Sequence, residues 1–422
     1  MGKVFFFAGI SFVACALVPV TGAIWYVDVS VSASVDGQSW ETAFKSIQEG
    51  IDASSDTDTV MVAQGTYVEN IQFDGENIAL SGTDPLDPAV VAKTIIDGNE
   101  SGPVVTFSGS EDETCVLSGF TIRNGKAAKG GGILGGTSDT PTQATIRHNV
   151  IAGNSAAQDG GGVQGCDGLI WNNVISGNSG AFGGGLNGCN GTIRNNLIAV
   201  NSAGSGGGLY DCNGTIESNT IAGNVAEVFG GGLRLCRATI GNCVIWGNTA
   251  PSEAQLSRSR GPTYSCIQDG AGFGEGSIAD DPGFVDADGP DDNPATYEDN
   301  NYRLAGGSPC ADTGENTSWM EGEADLDGNS RIIYGLSSPT VDMGAYEYLP
   351  SKIIAIGWTP NARIEITWTS SAGYTYAIWS SDDLLMTDEW IELATTVSEG
   401  DITSWMDPRY PRRARFYRVE VR

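Results

Sequence analysis

The sequence predicts an all-β chain organised around a right-handed parallel β-helix, and three observations carry that reading. Gly160-Gly161-Gly162, Gly183-Gly184-Gly185, Gly206-Gly207-Gly208 and Gly230-Gly231-Gly232 recur at steps of 23, 23 and 24 residues, and Cys166, Cys189, Cys212 and Cys236 keep the same step. A fixed period in this range is the mark of a solenoid. Each copy then holds three short apolar pieces: a Gly-Gly-Leu/Val piece, a Thr-Ile piece such as Thr192-Ile193 or Thr215-Ile216, and a third after an asparagine corner. None is long enough for a helix, so each coil of about 23 residues reads as three strands. Finally, asparagines fall into two columns, Asn149-Asn173-Asn196-Asn219 and Asn154-Asn178-Asn201-Asn224-Asn248. Stacked in register about 4.8 Å apart, buried amides pair with one another as ladders.

One coil cannot bury its own apolar residues, so the Val/Leu and Ile positions must stack on their equivalents above and below. The open first coil needs a cover. Ser39 to Ala53 reads as an amphipathic helix with Ala43, Phe44, Ile47 and Ile51 on one face and Ser39 as its cap. Residues 24–114 are therefore read as N-terminal cap and early irregular coils, 115–270 as regular coils, 271–350 as an acidic Asp/Gly-rich closing segment, and 351–422 as a separate module.

Residues 1–23 read as a signal peptide: Lys3, an apolar run from Val4 to Val20, then the small residues Thr21-Gly22-Ala23. The run is short for a membrane anchor, and Phe12-Val13-Ala14 before Cys15 is a poor lipidation motif. The expected location is extracellular or periplasmic, with no transmembrane segment in the mature chain. Eight cysteines then remain. Side chains in register point the same way, which favours stacked free thiols from Cys166 to Cys236, with Cys243 and Cys266 as the pair best placed for a bridge. A lone histidine, His148, argues against zinc and is placed in the ladder position.

The formal charge of −30 is unevenly spread. Residues 24–114 carry 17 acidic against 2 basic residues and 251–350 carry 19 against 4, whereas 115–250 carry 6 against 7. The coils are neutral and the ends acidic, a balance that excludes nucleic acid as a partner and suits divalent cations. Two stretches alternate acidic side chains with a turning glycine: Asp286-Ala287-Asp288-Gly289 followed by Asp291-Asp292-Asn293, and Asp325-Leu326-Asp327-Gly328-Asn329. Both are candidate calcium loops, although each lacks the downstream glutamate of an EF-hand; a solvated acidic turn is the competing reading.

From Ile353 onward glycine thins out and alternating strands replace the repeat, which predicts a small antiparallel β-sandwich. Its tryptophans, Trp358, Trp368, Trp379, Trp390 and Trp405, read mainly as core. Arg409, Arg412, Arg413 and Arg415 form a local basic patch.

Several phrases resemble secreted bacterial right-handed parallel β-helix proteins of the pectate-lyase-like superfamily: Asp36-Gly37-Gln38-Ser39-Trp40, Ala63-Gln64-Gly65-Thr66-Tyr67, Leu117-Ser118-Gly119-Phe120-Thr121-Ile122-Arg123-Asn124-Gly125, Asn242-Cys243-Val244-Ile245-Trp246-Gly247-Asn248 and Tyr264-Ser265-Cys266-Ile267. Later phrases, Asp281-Pro282-Gly283-Phe284, Tyr302-Arg303-Leu304, Ser308-Pro309-Cys310-Ala311-Asp312-Thr313-Gly314 and Val341-Asp342-Met343-Gly344-Ala345-Tyr346-Glu347, resemble the choice-of-anchor-type segment that closes such helices. The likeness covers residues 24–350 and implies architecture, not activity.

Two outward columns are candidate binding faces. Arg147, Trp171, Arg194 and Glu217 place a tryptophan between two arginines, suited to stacking on a sugar and holding carboxylates, against the plainer reading of an exposed ladder with an Arg194–Glu217 ion pair. Gln164, Asn187, Tyr210 and Arg234, with Asp211 nearby, make the second. Lyase chemistry on uronates needs an Arg or Lys base, for which Arg194 or Arg234 would serve, but the acidic cluster that positions calcium in pectate lyases has no counterpart in the coils. Asp211 and Glu217 lie on different strands, so the carboxyl pair of a glycosidase is not evident. The sequence thus favours a secreted, monomeric scaffold that binds polysaccharide or a cell-surface glycan, with no evident catalysis. A uronate-acting lyase or glycosidase, or a structural envelope or adhesin-like protein, are the alternatives.

Overall fold

The computed structural model describes residues 22–422 apart from 138, 271–273, 295, 297–298, 333–339, 349–352, 362, 371–374, 382–389, 398–401, 410–415 and 422. The signal-peptide reading therefore falls almost wholly outside the described residues, as do Arg412, Arg413 and Arg415 of the basic patch.

The chain folds as a right-handed parallel β-helix followed by a small antiparallel module. Three parallel ladders run along the helix. The first sheet has nine strands, from Ile24–Val27 through Thr145–Arg147, Leu169–Trp171, Thr192–Arg194 and Thr215–Glu217 to Thr239–Gly241. The second also has nine, ending at Val244–Trp246 and Cys266–Ile267, and the third has eight, from Ile71–Gln72 to Leu256–Ser257. The regular coils add a fourth, five-stranded sheet: Lys126–Lys129, Ser155–Asp159, Ser179–Phe182, Ser202–Ser205 and Val225–Phe229. This fourth ladder repeats a single column of small residues, Ala127, Ala156, Gly180, Ala203 and Ala226, which marks it only weakly in the sequence.

Equivalent residues stack as the period requires. Ile146, Ile170, Ile193, Ile216 and Ile240 pair in register on one wall, and Ile151, Ile175, Ile198, Ile221 and Ile245 on the next. All ten are buried. Both asparagine ladders form. Asn173 Nδ2 donates to Asn196 Oδ1 at 3.0 Å and Asn196 Nδ2 to Asn219 Oδ1 at 3.0 Å, while Asn178, Asn201 and Asn224 repeat the pattern at the next corner. Each side chain also bonds backbone of the preceding coil, as Asn196 Nδ2 does to Ile170 O at 2.9 Å. Pairing of this kind is what makes a polar corner tolerable inside a core.

The corners need left-handed backbone. His148, Asn172, Asn195, Ser218 and Asn242 all have φ between 52° and 56°, at the residue preceding the ladder position. His148 is thus displaced by one residue from its expected place: Asn149 is the ladder member and His148 the corner. The glycine triplets answer a close approach. A Cβ on Gly162 would lie 2.6 Å from Gly185 O of the next coil.

The covering helix is shorter than predicted. It runs Ile47–Ala53 with Ser46, not Ser39, as cap, in a capping box with Glu49. Phe44 is drawn out of the helix because its backbone pairs with Tyr26, the N–H donating at 2.9 Å. Ile47 and Ile51 are buried over the first coil, and Gly50 faces Val27 and Val60.

The eight described cysteines are free and buried. Cys189, Cys212 and Cys236 bond backbone carbonyls of their own strands at 3.5 Å, the same geometry repeated from coil to coil. The expected Cys243–Cys266 bridge is absent for a reason of register: Cys243 lies over Ser265, and it is Val244 that pairs with Cys266.

Among the described residues the closing segment is largely irregular, with one antiparallel strand pair, Phe284–Asp286 with Asn301–Leu304, and an isolated bridge between Ala324 and Ser330. Instead of extending the helix axis, it turns back along the flank. Tyr302, Ala345 and Tyr346 pack on Leu197, Ala199 and Ala222, and Leu304, Cys310 and Met343 pack on Val244 and Cys266. Its interior holds the Arg331–Glu347 ion pair at 3.1 Å, with side chains 0% and 2% exposed.

The C-terminal module forms two three-stranded antiparallel sheets around Ile366, Trp368, Tyr376 and Ile378. Trp379 and Trp390 lie under Arg418, and Trp358 is exposed. Among the described residues no helix is long and apolar enough to cross a membrane.

Candidate functional site

The first predicted column assembles in register: Arg147 pairs with Trp171, Trp171 with Arg194, and Arg194 with Glu217. Arg194 lies 6.0 Å from the Trp171 ring centre and 4.0 Å from the Glu217 carboxylate. Its other face is covered. Trp319, on a 3-10 turn over Ser318–Met320 of the closing segment, stacks 4.6 Å from the guanidinium. Hydrogen bonds anchor the turn on either side: Asn195 Nδ2 donates to Ala324 O at 3.1 Å, and Glu315 N donates to Asn242 Oδ1 at 2.7 Å. The stacking partner expected to be a sugar is supplied by the chain itself, from a distant part of the sequence.

His148 lies beside this column, 5.5 Å from the Trp171 ring. Burial, with help from Arg147, lowers its pKa to about 4, so it is neutral at neutral pH.

The second column is half-buried, and its aromatic neighbours come from the fourth sheet. Gln164, Asn187, Tyr210 and Arg234 follow one another on the third sheet. Asn187 is the exception in it, buried with its Nδ2 donating to Phe182 O at 3.0 Å. The fourth sheet stands beside the column and contributes aromatics that the sequence reading overlooks. Phe182 meets Tyr210 at 5.1 Å, and Phe229 lies under the Arg234 guanidinium at 4.5 Å. Arg234 is steered by a chain of polar contacts, its Nη1 donating to Ser257 Oγ at 3.2 Å and that hydroxyl to Glu253 Oε2 at 2.5 Å. Asp211, at a left-handed corner with φ of 51°, is exposed and accepts from Asn213 Nδ2 at 2.8 Å.

Towards the N-terminal end the same seam widens into a groove of about 760 Å³ lined by Lys126, Lys129, Leu134, Thr137, Gln158 and Gln164. Lys129 pairs with Asp159 at 2.7 Å and Lys126 with Glu100 at 2.9 Å, and both lysines are exposed. A signal for the fourth-sheet members is present in the sequence: Phe182 and Phe229 stand out in strands otherwise made largely of small and polar residues.

The two acidic loops differ. Asp325 accepts from Asp327 N and Asn329 N through Oδ1 and from Glu347 N through Oδ2, and Asp327 faces the Arg303 guanidinium, so this loop is engaged within the chain. Asp286 is held more loosely. Partial burial and a hydrogen bond with Asp288 raise its pKa, against a backbone bond from Gly289. Asp291 and Asp292 are exposed nearby. Among the described residues, no three His, Cys, Asp or Glu side chains converge to hold a metal ion.

No protein-family profile matches the chain. No curated protein sequence matches it either. Among solved structures it is similar to the crystal structure of pectate lyase Pel9A, at 16% identity and a TM-score of 0.41, over 78% of this chain and 97% of that one.

Proposed function

We propose that the chain is an exported β-helix protein that binds an extended, anionic polysaccharide along the seam between the third and fourth sheets. One observation carries the reading: Arg194 of the first column is stacked by Trp319 of the closing segment, whereas the second column runs on through Gln164 into the groove at Lys126 and Lys129. Tyr210 and Phe182 offer ring faces to sugars, Gln158 and Gln164 offer hydrogen bonds to hydroxyls, and Lys126, Lys129 and Arg234 offer charge to carboxylates. Uronate-containing glycans combine all three demands.

A glycan array with the purified protein tests this. Tyr210→Ala and Arg234→Ala are each expected to weaken binding of an acidic glycan by about tenfold, with Arg194→Ala nearly silent. Loss on Arg194→Ala with Tyr210→Ala silent would move the site to the first column. Product formation, seen as new reducing ends or the ultraviolet absorbance of unsaturated sugars, would replace binding by catalysis.

A further inference from the structure

We propose that Cys266 and Cys310 are a disulfide-forming pair that staples the closing segment to the last coil, while the thiol stack from Cys166 to Cys236 stays reduced. The inference is independent of the glycan reading. Cys266 lies on the strand Cys266–Ile267 of the second sheet; Ile267 points into the helix core, so Cys266 points outward. There it shares a buried apolar cluster with Cys310, Val244, Leu304 and Met343. Cys266 Sγ donates to Asp280 O at 3.2 Å, and the Cys310 side chain lies against it, a contact that together with burial raises the Cys266 pKa. Met343 N donates to Cys310 O at 3.0 Å, which fixes the loop that brings the second sulfur in.

The stacked cysteines also touch one another, Cys212 meeting Cys189 and Cys236, but as neighbours on one ladder. A disulfide needs its two Cβ–S bonds converging with a torsion near a right angle. Cys189, Cys212 and Cys236 repeat one orientation along a ladder, each bonded to its own strand's carbonyl. Cys243 fills an asparagine-ladder position, its Sγ 3.2 Å from Gly241 O. The 266–310 pair instead joins two different segments, the last coil and the closing segment, within one buried cluster.

The chemistry is exchange with a low-molecular-weight disulfide. One thiolate attacks the oxidant and releases one thiol; the second attacks the mixed disulfide and releases the other. Two protons and two electrons leave the pair, and one oxidant disulfide becomes two thiols. With both cysteines at 0% exposure the bond forms as the closing segment docks, not afterwards.

The test is thiol mapping of the full chain refolded in a glutathione redox buffer. Free thiols are alkylated in denaturant, the protein is reduced, and newly released thiols are given a second label. The expected result is a mass about 2 Da below the fully reduced chain, second label only on the peptides of Cys266 and Cys310, and a Tm that falls by a few degrees on reduction. Cys266→Ser and Cys310→Ser should each abolish the second label, and the double variant should melt no lower than either single. All thiols alkylated in the first step, or second label on any pair within Cys166 to Cys243, would overturn the proposal, and the wild-type mapping decides it even if a variant fails to fold.

Discussion

The regular coils and the closing segment are stabilised in opposite ways. The coils repeat one set of contacts: identical isoleucines over isoleucines and amides over amides, on a stretch of nearly balanced charge. The closing segment repeats nothing. It is held by single contacts, among them the buried Arg331–Glu347 pair and the Ala345 N to Thr220 Oγ1 bond of 3.0 Å, and it concentrates buried carboxylates. The difference teaches that repetition lets a polar group be buried without charge, because its partner is always one coil away, whereas a singular segment uses ionic groups to fix its one arrangement.

The largest expected effect lies on the singular side. Arg331→Met leaves Glu347 buried without its cation and should cost about 3–5 kcal/mol, read as loss of amide protection over 341–348 with the coils still protected. If the coils lose protection together with it, the two regions are one cooperative unit and the contrast fails. Next comes Asn196→Ala. It removes an amide that serves Ile170 O, Arg194 O, Asn219 Oδ1 and Asn173 N at once. Chemical denaturation should show a cost of about 2–4 kcal/mol, against well under that for Asn190→Ala on the exposed ladder, where water replaces the lost bonds.

A pH series sharpens the contrast further. Burial raises the Asp342 carboxyl to about 7, opposed by donors from Asp312 N and Tyr348 N and by the Arg331 charge. Glu347 and Asp325 are raised in the same direction, chiefly by burial. An exposed aspartate ionises near about 4, so between those values the docked segment binds more protons than the released one. Docking is therefore strongest below that window and weakens as pH rises through it, by about 1.4 kcal/mol for each pH unit crossed. Hydrogen exchange at about pH 5 and about pH 8, expressed as protection relative to the base-catalysed intrinsic rate, should show lower protection of 341–348 at the higher pH and little change in the coils. Asp342→Asn should flatten the profile. The smallest effect concerns calcium: if Asp286 and Asp288 hold the ion, calcium raises the melting temperature, chelator lowers it, and Asp288→Asn removes the response, while a flat calorimetric comparison ends that reading.

Much of this molecule is legible in its sequence because period converts a linear string into stacked columns. Spacing alone puts Asn173, Asn196 and Asn219 in line and sets the two outward columns in register. Errors of one residue follow from the same logic. Spacing draws His148 into the ladder beside Asn149, and it aligns Cys266 on Cys243 although a shorter last coil sets Ser265 there; a one-residue slip turns a side chain from one face to the other. The fourth sheet is hidden because its inward column is only alanine and glycine, Ala156, Gly180, Ala203 and Ala226, one small residue per strand. What spacing cannot reach at all is Trp319 over Arg194, since nothing periodic relates a turn in the closing segment to a coil well before it.

That backward reach makes the closing segment a ruler. Near-identical neighbouring units are prone to gain or lose a copy, and a helix with free ends would tolerate either. Here Glu315 must meet Asn242 while Ala324 meets Asn195, so the distance between two corners is measured by a fixed length of chain. Adding or excising one unit between them would leave the tape too short or slack, and the number of turns is thereby held constant.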